Sequence, residues 1–243
     1  MEKKVNTNNA HISQKENAAK AIFSITPFTL LDYPHKSACI LWFAGCNMRC
    51  LYCYNPEIVL GKGKISFDTA LSFLEKRKGL LDAVVLSGGE CSLHKNLIPF
   101  IKQIKDLGFA VKIDTNGSNP KVLRQLINEK LIDYVALDFK ALAEKFQKVT
   151  QSDLFAVFEE SFRLLLCSTI QFEVRTTLHS DLIDEVELAL MLDYVEKNQY
   201  EGTFYIQHFV NNVATLGNLP LSIRTDVTKN WNREKIKVEF RGT

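Results

Sequence analysis

The sequence predicts an α/β fold in which parallel strands alternate with helices. Six short apolar runs, rich in β-branched and aromatic residues, are each followed by a polar or helix-like segment. Most of these runs are apolar throughout, which is typical of strands covered on both faces. Repeated strand–helix units form a parallel sheet through right-handed crossovers. Because a closed barrel needs eight such units, we expect an open, partial (β/α)6 barrel, with a flat doubly wound sheet as the alternative.

The predicted elements follow one another along the chain from residue 38. The strands are Ala38–Phe43, Ala83–Leu86, Ala110–Ile113, Tyr134–Leu137, Phe172–Thr177 and Thr203–Gln207. The helices are Phe67–Arg77, Leu97–Leu107, Lys121–Glu129, Leu154–Leu166 and Asp181–Lys197. Ser66 and Asn119 are suited to cap helix amino ends, and Gly108 is suited to follow a helix carboxyl end. The alternating segment Lys235–Phe240 predicts an additional edge strand.

Length and composition indicate one globular domain. The chain has 243 residues, 46% of them hydrophobic and 24% charged, and a net charge of +2. Such a balance gives no sign of a nucleic-acid or membrane surface, and no apolar run is long enough to cross a bilayer. The amino-terminal residues lack the apolar core of a secretory signal. We therefore expect a cytoplasmic protein with a polar, disordered tail at residues 1–22 and one domain at residues 23–243.

Three of the six cysteines lie in a short loop after the first predicted strand. Cys46, Cys50 and Cys53 have the spacing C-x3-C-x2-C. Clustered cysteines in a reducing compartment favour metal binding or catalysis over disulfides. Iron–sulfur clusters are held by thiolates, and three cysteines leave one iron of a four-iron cluster free for another ligand. Coincidental buried cysteines, or a zinc site completed by His35 or His94, are the alternatives.

Polar motifs also stand at the ends of the next strands. The second strand ends in Ser87-Gly88-Gly89-Glu90, where the glycines allow close backbone approach and Glu90 offers an acceptor for an ammonium group. The third ends in Asp114-Thr115-Asn116-Gly117, and the fourth in Asp138-Phe139-Lys140. Each could instead be an ordinary turn or a surface ion pair. Carboxyl ends of parallel strands meet at one edge, so we expect these residues to lie together.

Two later residues are further candidates at the same edge. Arg175 in the fifth strand is suited to bind a carboxylate or a ribose hydroxyl, or else forms an ion pair with Glu173. His208 follows the sixth strand and could bind a ligand or be a satisfied strand-end histidine. The remaining cysteines are expected to be structural, and Cys91 is not assigned to a metal.

Together these motifs resemble the radical S-adenosylmethionine (SAM) superfamily. The resemblance rests on the cysteine loop, with Tyr52 before its last cysteine, and on Ser87 to Glu90 at the end of the second strand. It implies that Cys46, Cys50 and Cys53 ligate a single [4Fe–4S] cluster, and that SAM chelates the fourth iron and is cleaved to a 5′-deoxyadenosyl radical. It also implies that the Gly-Gly-Glu motif binds the methionyl amine, although Cys91 stands where the family usually has proline.

The motifs that end the third and fourth strands resemble a narrower group, the glycyl-radical-enzyme activating enzymes. That resemblance implies that Asp114, Thr115, Asn116 and Asp138 contact SAM and a nearby monovalent cation. It places Lys140 near SAM or the target peptide, as a catalytic residue. By resemblance to the family, Arg175 would contact SAM, and His208 would lie near the same rim.

A longer set of motifs is similar to the anaerobic (class III) ribonucleoside-triphosphate reductase activating proteins. The similarity runs from about Phe23 to the end of the chain and includes Asp32-Tyr33-Pro34, Phe73–Asp82 and Asp114–Pro120. It implies hydrogen abstraction from a glycine of a partner reductase, with a flavodoxin or ferredoxin as electron donor. Activation of another glycyl radical enzyme such as a formate lyase, small-molecule chemistry of the deazapurine type, and a non-catalytic metal-binding module are the alternatives.

Overall fold

The computed structural model describes residues 20–224 and 229–241, which form one mixed sheet covered by helices. Nine strands lie in the order β3-β1-β2-β4-β5-β6-β7-β8-β9. Their bounds are β1 Lys20–Thr29, β2 Ala38–Phe43, β3 Ile65–Ser66, β4 Ala83–Gly88, β5 Ala110–Thr115, β6 Tyr134–Asp138, β7 Gln171–Leu178, β8 Gly202–His208 and β9 Ile236–Arg241. The sheet curves into an open partial barrel, so the predicted fold class is confirmed.

Seven neighbouring strands of the sheet, from β2 to β9, run parallel to one another. All six predicted strands are among them. The first matches its predicted bounds, and the others are longer than predicted at one or both ends. The predicted edge strand is β9, which pairs with β8 in parallel. Because the carboxyl ends of these strands share one edge of the barrel, the loops after them are brought together there.

Two antiparallel strands extend the opposite edge and were not predicted. Strand β1 pairs with β2, and the two-residue strand β3 pairs with β1. The register of β1 against β2 shifts between Thr26 and Thr29, where Pro27 has no N–H to donate. Strand β1 includes Lys20–Ile22, the last residues of the predicted tail; the rest of that tail lies outside the described residues.

Seven α-helices lie within the described residues. They are α1 Pro56–Leu60, α2 Phe67–Glu75, α3 Leu97–Asp106, α4 Pro120–Asn128, α5 Ala143–Thr150, α6 Phe155–Leu166 and α7 Glu185–Lys197. The predicted caps are confirmed: Ser66 accepts the Thr69 N–H, Asn119 accepts the Val122 N–H, and Gly108 has a φ of 92°. Helix α7 begins later than predicted because Asp184 caps it. Helices α1 and α5 were not predicted.

The amino end of the barrel is closed by a tyrosine from the loop before β2. Tyr33 is buried with Ala38 and Ala83, the first residues of β2 and β4. Its ring lies 5.7 Å from that of Tyr134, which begins β6. A large apolar core fills the space between the sheet and the helices. Aromatic side chains therefore pack across the amino end of the barrel, while the predicted polar motifs lie at the carboxyl ends of the strands.

No helix within residues 20–224 and 229–241 has both the length and the apolar character needed to cross a bilayer.

The central strands should be the stability-determining part of the fold. We expect Leu86→Ala to lower the free energy of unfolding by about 3 kcal/mol, because Leu86 is completely buried in β4 and its truncation leaves a cavity. The matched control is Leu80→Ala, since Leu80 is 67% exposed. Urea unfolding followed by circular dichroism measures both variants. Equal effects of the two substitutions would contradict the buried position of β4.

Candidate active site

A cavity of about 350 Å³ lies at the carboxyl ends of the parallel strands. Cys46, Cys50 and Cys53 form one part of its wall. The facing part is formed by side chains from the ends of four strands: Asp114, Asp138, Arg175 and Gln207. The structure therefore brings the cysteine loop and most of the predicted strand-end residues into one site.

The cysteine loop places amide donors next to one sulfur. The Met48 N–H lies 3.4 Å from the Cys46 Sγ atom, and the Asn116 side-chain amide lies 3.7 Å from it. Cys50 is buried, and burial raises the pKa of its thiol to about 11. Metal binding requires thiolates, so a metal at this loop displaces protons from its cysteines. Burial also raises the pKa of the Cys46 thiol, and the Met48 N–H opposes this shift.

The two glycines after β4 allow close packing against the cysteine loop. A Cβ atom on Gly89 would lie 1.9 Å from the Gly45 carbonyl oxygen, and one on Gly88 would lie 2.7 Å from the Phe43 backbone nitrogen. Gly88 also has a φ of 111°, which other residues rarely adopt. Both glycines line the cavity. Without side chains they let the cysteine loop pack closely and leave their own backbone groups exposed to a ligand. Ser87, just before them, donates a hydrogen bond of 2.9 Å to Asp114.

Glu90 connects three loops through a fully buried carboxylate. It accepts hydrogen bonds from the Ser92 N–H at 3.1 Å, the Thr115 hydroxyl at 3.0 Å and the Asn116 N–H at 2.8 Å. Its own N–H donates to the Gly45 carbonyl at 2.8 Å. This geometry joins the turn after β5 to the cysteine loop. Glu90 does not line the cavity, and its contact with the methionyl amine stays a prediction.

A chain of ion pairs crosses the cavity wall on the ends of β5, β6 and β7. Lys112 lies 2.6 Å from Asp114, whose second oxygen lies 3.3 Å from Arg175. Arg175 continues to Asp138 at 2.9 Å, and Asp138 to Lys140 at 3.1 Å. The network contains one more cation than carboxylates, but Lys112 is buried and does not line the cavity. The members that do line it are two cations, Arg175 and Lys140, and two carboxylates, Asp114 and Asp138.

The network keeps its members charged despite their burial. Burial opposes ionisation of Asp114, but Arg175 and Lys112 outweigh it and lower the pKa of this carboxyl to about 2. The same competition lowers the pKa of Asp138, through Arg175 and Lys140. Burial disfavours the charge on Lys140, yet Asp138 raises its pKa. Fixed charges in a recessed site act more strongly on a bound ligand than charges in water.

Arg175 therefore pairs across strands with two aspartates, and the ion pair with Glu173 that the sequence also allowed is not the one formed. Glu173 is 1% exposed and accepts a hydrogen bond from the Tyr134 hydroxyl at 3.1 Å. Its second partner is Arg241, at 3.3 Å. Since Arg241 lies on β9 and Glu173 on β7, this second pairing joins the two strands on either side of β8. Arg175 remains directed at the cavity.

Comparison with known proteins identifies the family. The family model of the radical SAM superfamily matches residues 40–192, which is more than half of the chain. The chain belongs to the radical SAM superfamily. A protein of Methanocaldococcus jannaschii named as a glycyl-radical enzyme activating enzyme is 35% identical over 176 residues, which cover 70% of this chain and 73% of that one. The pyruvate formate-lyase-activating enzyme of Clostridium pasteurianum is 27% identical over 73% of this chain and 76% of its own.

Solved structures support the same fold. Streptococcus suis SuiB bound to S-adenosylmethionine matches 96% of this radical SAM chain with a TM-score of 0.60 and 12% identity. The match covers 54% of SuiB, so this chain spans about half the length of that protein. At this level of identity the similarity concerns the fold. The match supports the open partial barrel as the fold of this chain.

Membership implies a [4Fe–4S] cluster and SAM as cofactors, and the residues at the cavity fit that requirement. Three cysteines on one loop share the cavity, and amide donors point at one of their sulfurs. Within the described ranges, no three or more His, Cys, Asp or Glu side chains stand together as a formed metal site. The fit rests on the thiol chemistry of the loop and on its shared cavity.

Three candidates from the sequence do not line the cavity of this radical SAM enzyme. Glu90 is buried behind it, and the Thr115 hydroxyl is held by Glu90. His208 is 2% exposed, and its ring stacks on Phe240 at 5.2 Å. Its Nε2 atom has no hydrogen-bond partner among the described residues. Alternate residues of a strand face opposite sides of the sheet, so the His208 side chain lies on the face of β8 that packs against the helices.

The histidines that could have completed a zinc site also lie elsewhere. The ring of His94 hydrogen-bonds the Ala44 carbonyl oxygen at 3.0 Å and packs against Phe43 at 5.2 Å. His35 belongs to the loop before β2, at the amino end of the barrel. Neither residue lines the cavity.

Other cavity residues were missed by the sequence interpretation. Trp42, Thr177 and Gln207 line the cavity from β2, β7 and β8, and Asp32 lines it from the loop after β1. Gln207 could have been found from the sequence, because it is the last residue of a predicted strand. In the sheet, Gln207 pairs with Thr177. Asp32 was noted only as part of the Asp32-Tyr33-Pro34 motif and was not assigned to the site, and its loop begins at the far end of the sheet.

Acid titration should reveal the ion-pair network. The lowered pKa of Asp114 stabilises the fold above about pH 4, and this contribution of about 2 kcal/mol is lost as pH falls towards 2. We expect Asp114→Asn to remove that part of the pH dependence and to destabilise the protein at pH 7, since Lys112 and Arg175 lose their partner. Urea unfolding between pH 5 and 2 measures it, with exposed Asp68→Asn as control. An Asp114→Asn slope equal to wild type would refute the pairing.

Proposed function

We propose that this radical SAM enzyme is a glycyl-radical-enzyme activating enzyme, in which Cys46, Cys50 and Cys53 ligate one [4Fe–4S] cluster. The observation that carries the proposal is the cavity in which the three cysteines face a strand-end network of paired charges, with Arg175 and Lys140 as the cations that line the cavity. A loop of three thiolates leaves one position of such a cluster for a ligand that enters the cavity. The activating-enzyme relatives support this choice within the superfamily.

The cavity offers complementary contacts for the polar groups of SAM. Its carboxylate suits the guanidinium of Arg175 and the ammonium of Lys140, both of which line the cavity. Its ammonium group suits backbone acceptors at Gly88 and Gly89, which line the cavity without side chains. When bound at the cluster, SAM supplies a carbon-centred radical that removes hydrogen from a C–H bond.

The remaining cavity residues would position the ligand and exclude water. Tyr52 is buried, with its ring 5.8 Å from the Lys140 ammonium. Asn116 lines the cavity and reaches the cysteine loop, with its side-chain amide 3.1 Å from Asn47. A monovalent cation would be held by the carboxylates of Asp114 and Asp138, with the Thr115 hydroxyl already engaged by Glu90.

The proposed substrate is a glycine of an anaerobic ribonucleoside-triphosphate reductase, with a flavodoxin or ferredoxin as electron donor. The support is the combined motif set, Asp32-Tyr33-Pro34 and Asp114–Pro120, which resembles the activating proteins of those reductases. Glycine suits a recessed cavity because it has no Cβ and tolerates close approach. The second candidate is a formate lyase, which the Clostridium pasteurianum relative favours.

The cluster assignment predicts a specific loss of iron. We expect anaerobically reconstituted Cys50→Ala to bind far less iron and sulfide than wild type, because a thiolate ligand is removed. Cys167→Ala is the matched control, since Cys167 is exposed and lies at the end of α6. Elemental analysis and visible absorbance measure both. Equal iron in Cys50→Ala and wild type would exclude this cysteine as a ligand.

The activity predicts a glycyl radical on the partner. Reduced enzyme, SAM and the reductase should give a doublet in the electron paramagnetic resonance spectrum, together with methionine and 5′-deoxyadenosine. A formate lyase in place of the reductase tests the second candidate, and enzyme carrying Cys50→Ala should give no doublet with either. A loaded cluster that cleaves SAM without a doublet on either partner would reject the activating-enzyme proposal.

A further inference from the structure

The cysteine loop is held on one side by helix α5. The Arg49 N–H donates to the Thr150 carbonyl at 2.8 Å, and the Leu51 N–H donates to the Val149 carbonyl at 3.0 Å. Both acceptors lie in the last turn of α5, where carbonyl groups have no partner within their own helix. One edge of the loop backbone is therefore fixed.

The other edge is held by a segment far along the chain. Residues 209–217, here named the strap, follow β8 and return across the cysteine loop. The Leu216 N–H donates to the Cys53 carbonyl at 3.1 Å, and the Gly217 N–H donates to the Leu51 carbonyl at 2.8 Å. At the start of the strap, the Val210 N–H donates to the Tyr54 hydroxyl at 2.7 Å. These contacts bracket Cys53.

Gly217 is the point of closest approach between the strap and the loop. A Cβ atom on Gly217 would lie 2.7 to 2.9 Å from the Leu51 Cδ2, Cβ and Cα atoms. The φ angle of Gly217 is outside the left-handed region, so any residue can adopt its backbone conformation. The steric contact with Leu51 is therefore the reason why a side chain is not accommodated there.

We propose that the strap is a positioning element for the cysteine loop, and that Gly217 is the positioning residue that lets it hold Cys53 in place. The proposal rests on the cluster assignment made above. The strap bonds the backbone carbonyls of Leu51 and Cys53 in the turn that carries Cys53, while α5 bonds the other edge of the loop. Neighbours that orient metal ligands tune metal affinity.

The test compares two substitutions in the strap. Gly217→Val inserts a branched side chain against Leu51, and Ala214→Val makes a similar addition at an exposed position of the same segment. Iron and sulfide per chain are measured after anaerobic reconstitution, together with the rate at which a chelator removes iron. Circular dichroism of the metal-free proteins reports folding. We expect Gly217→Val to lose iron about tenfold faster than wild type, and Ala214→Val to match wild type.

The outcomes separate this inference from the proposed function. Wild-type protein that binds no iron would overturn the cluster assignment, and the inference with it. If wild type binds iron, and Gly217→Val binds as much iron and loses it at the same rate, the inference alone would be overturned. If Gly217→Val does not fold, the rate of iron loss is measured in Tyr54→Phe instead. This change removes the hydroxyl that accepts the Val210 N–H bond and keeps the ring stacked on Phe209. Unchanged iron loss in Tyr54→Phe would then overturn it.

Discussion

The site depends on the buried carboxylate of Glu90. An unpaired charge at this depth is strongly destabilising, so the carboxylate requires its donors from the turn after β5 and from Ser92. Those bonds place Asn116 against the cysteine loop, and the Glu90 N–H binds that loop directly. Three segments that are distant in sequence are thereby held around one group. The hydrogen bonds to the Glu90 carboxylate therefore bring together the segments that form this part of the cavity wall.

The regular part of the fold could be predicted from the sequence because buried parallel strands are recognisable as apolar runs. The antiparallel extension could not be predicted in this way. Strand β1 is only partly buried and contains Pro27, so its pattern is weak, and β3 has two residues, too few to show a period. Helix α5 lacks a side-chain cap at Leu142 and was missed for the same reason, the absence of a local signal.

The composition of the site was more predictable than its internal contacts. Asp114, Asp138 and Arg175 were found because strand ends of one sheet converge. Which acid pairs with which base was not predictable, since Glu173 and Arg175 are close in sequence but face different partners in space. Likewise, a Gly-Gly-Glu sequence alone does not show whether the glutamate side chain points to a ligand or into the protein. That orientation depends on the burial of the side chain, which requires the structure.

The position of the strap in the sequence has a consequence for synthesis. The Tyr54 hydroxyl meets the Val210 backbone across a separation of 156 residues. At ribosomal rates, the cysteine loop leaves the ribosome roughly 10 to 30 s before the segment that completes its surroundings. During that interval the nascent chain presents three thiols without their final neighbours. The order of translation therefore sets the earliest moment at which this loop can acquire its native environment.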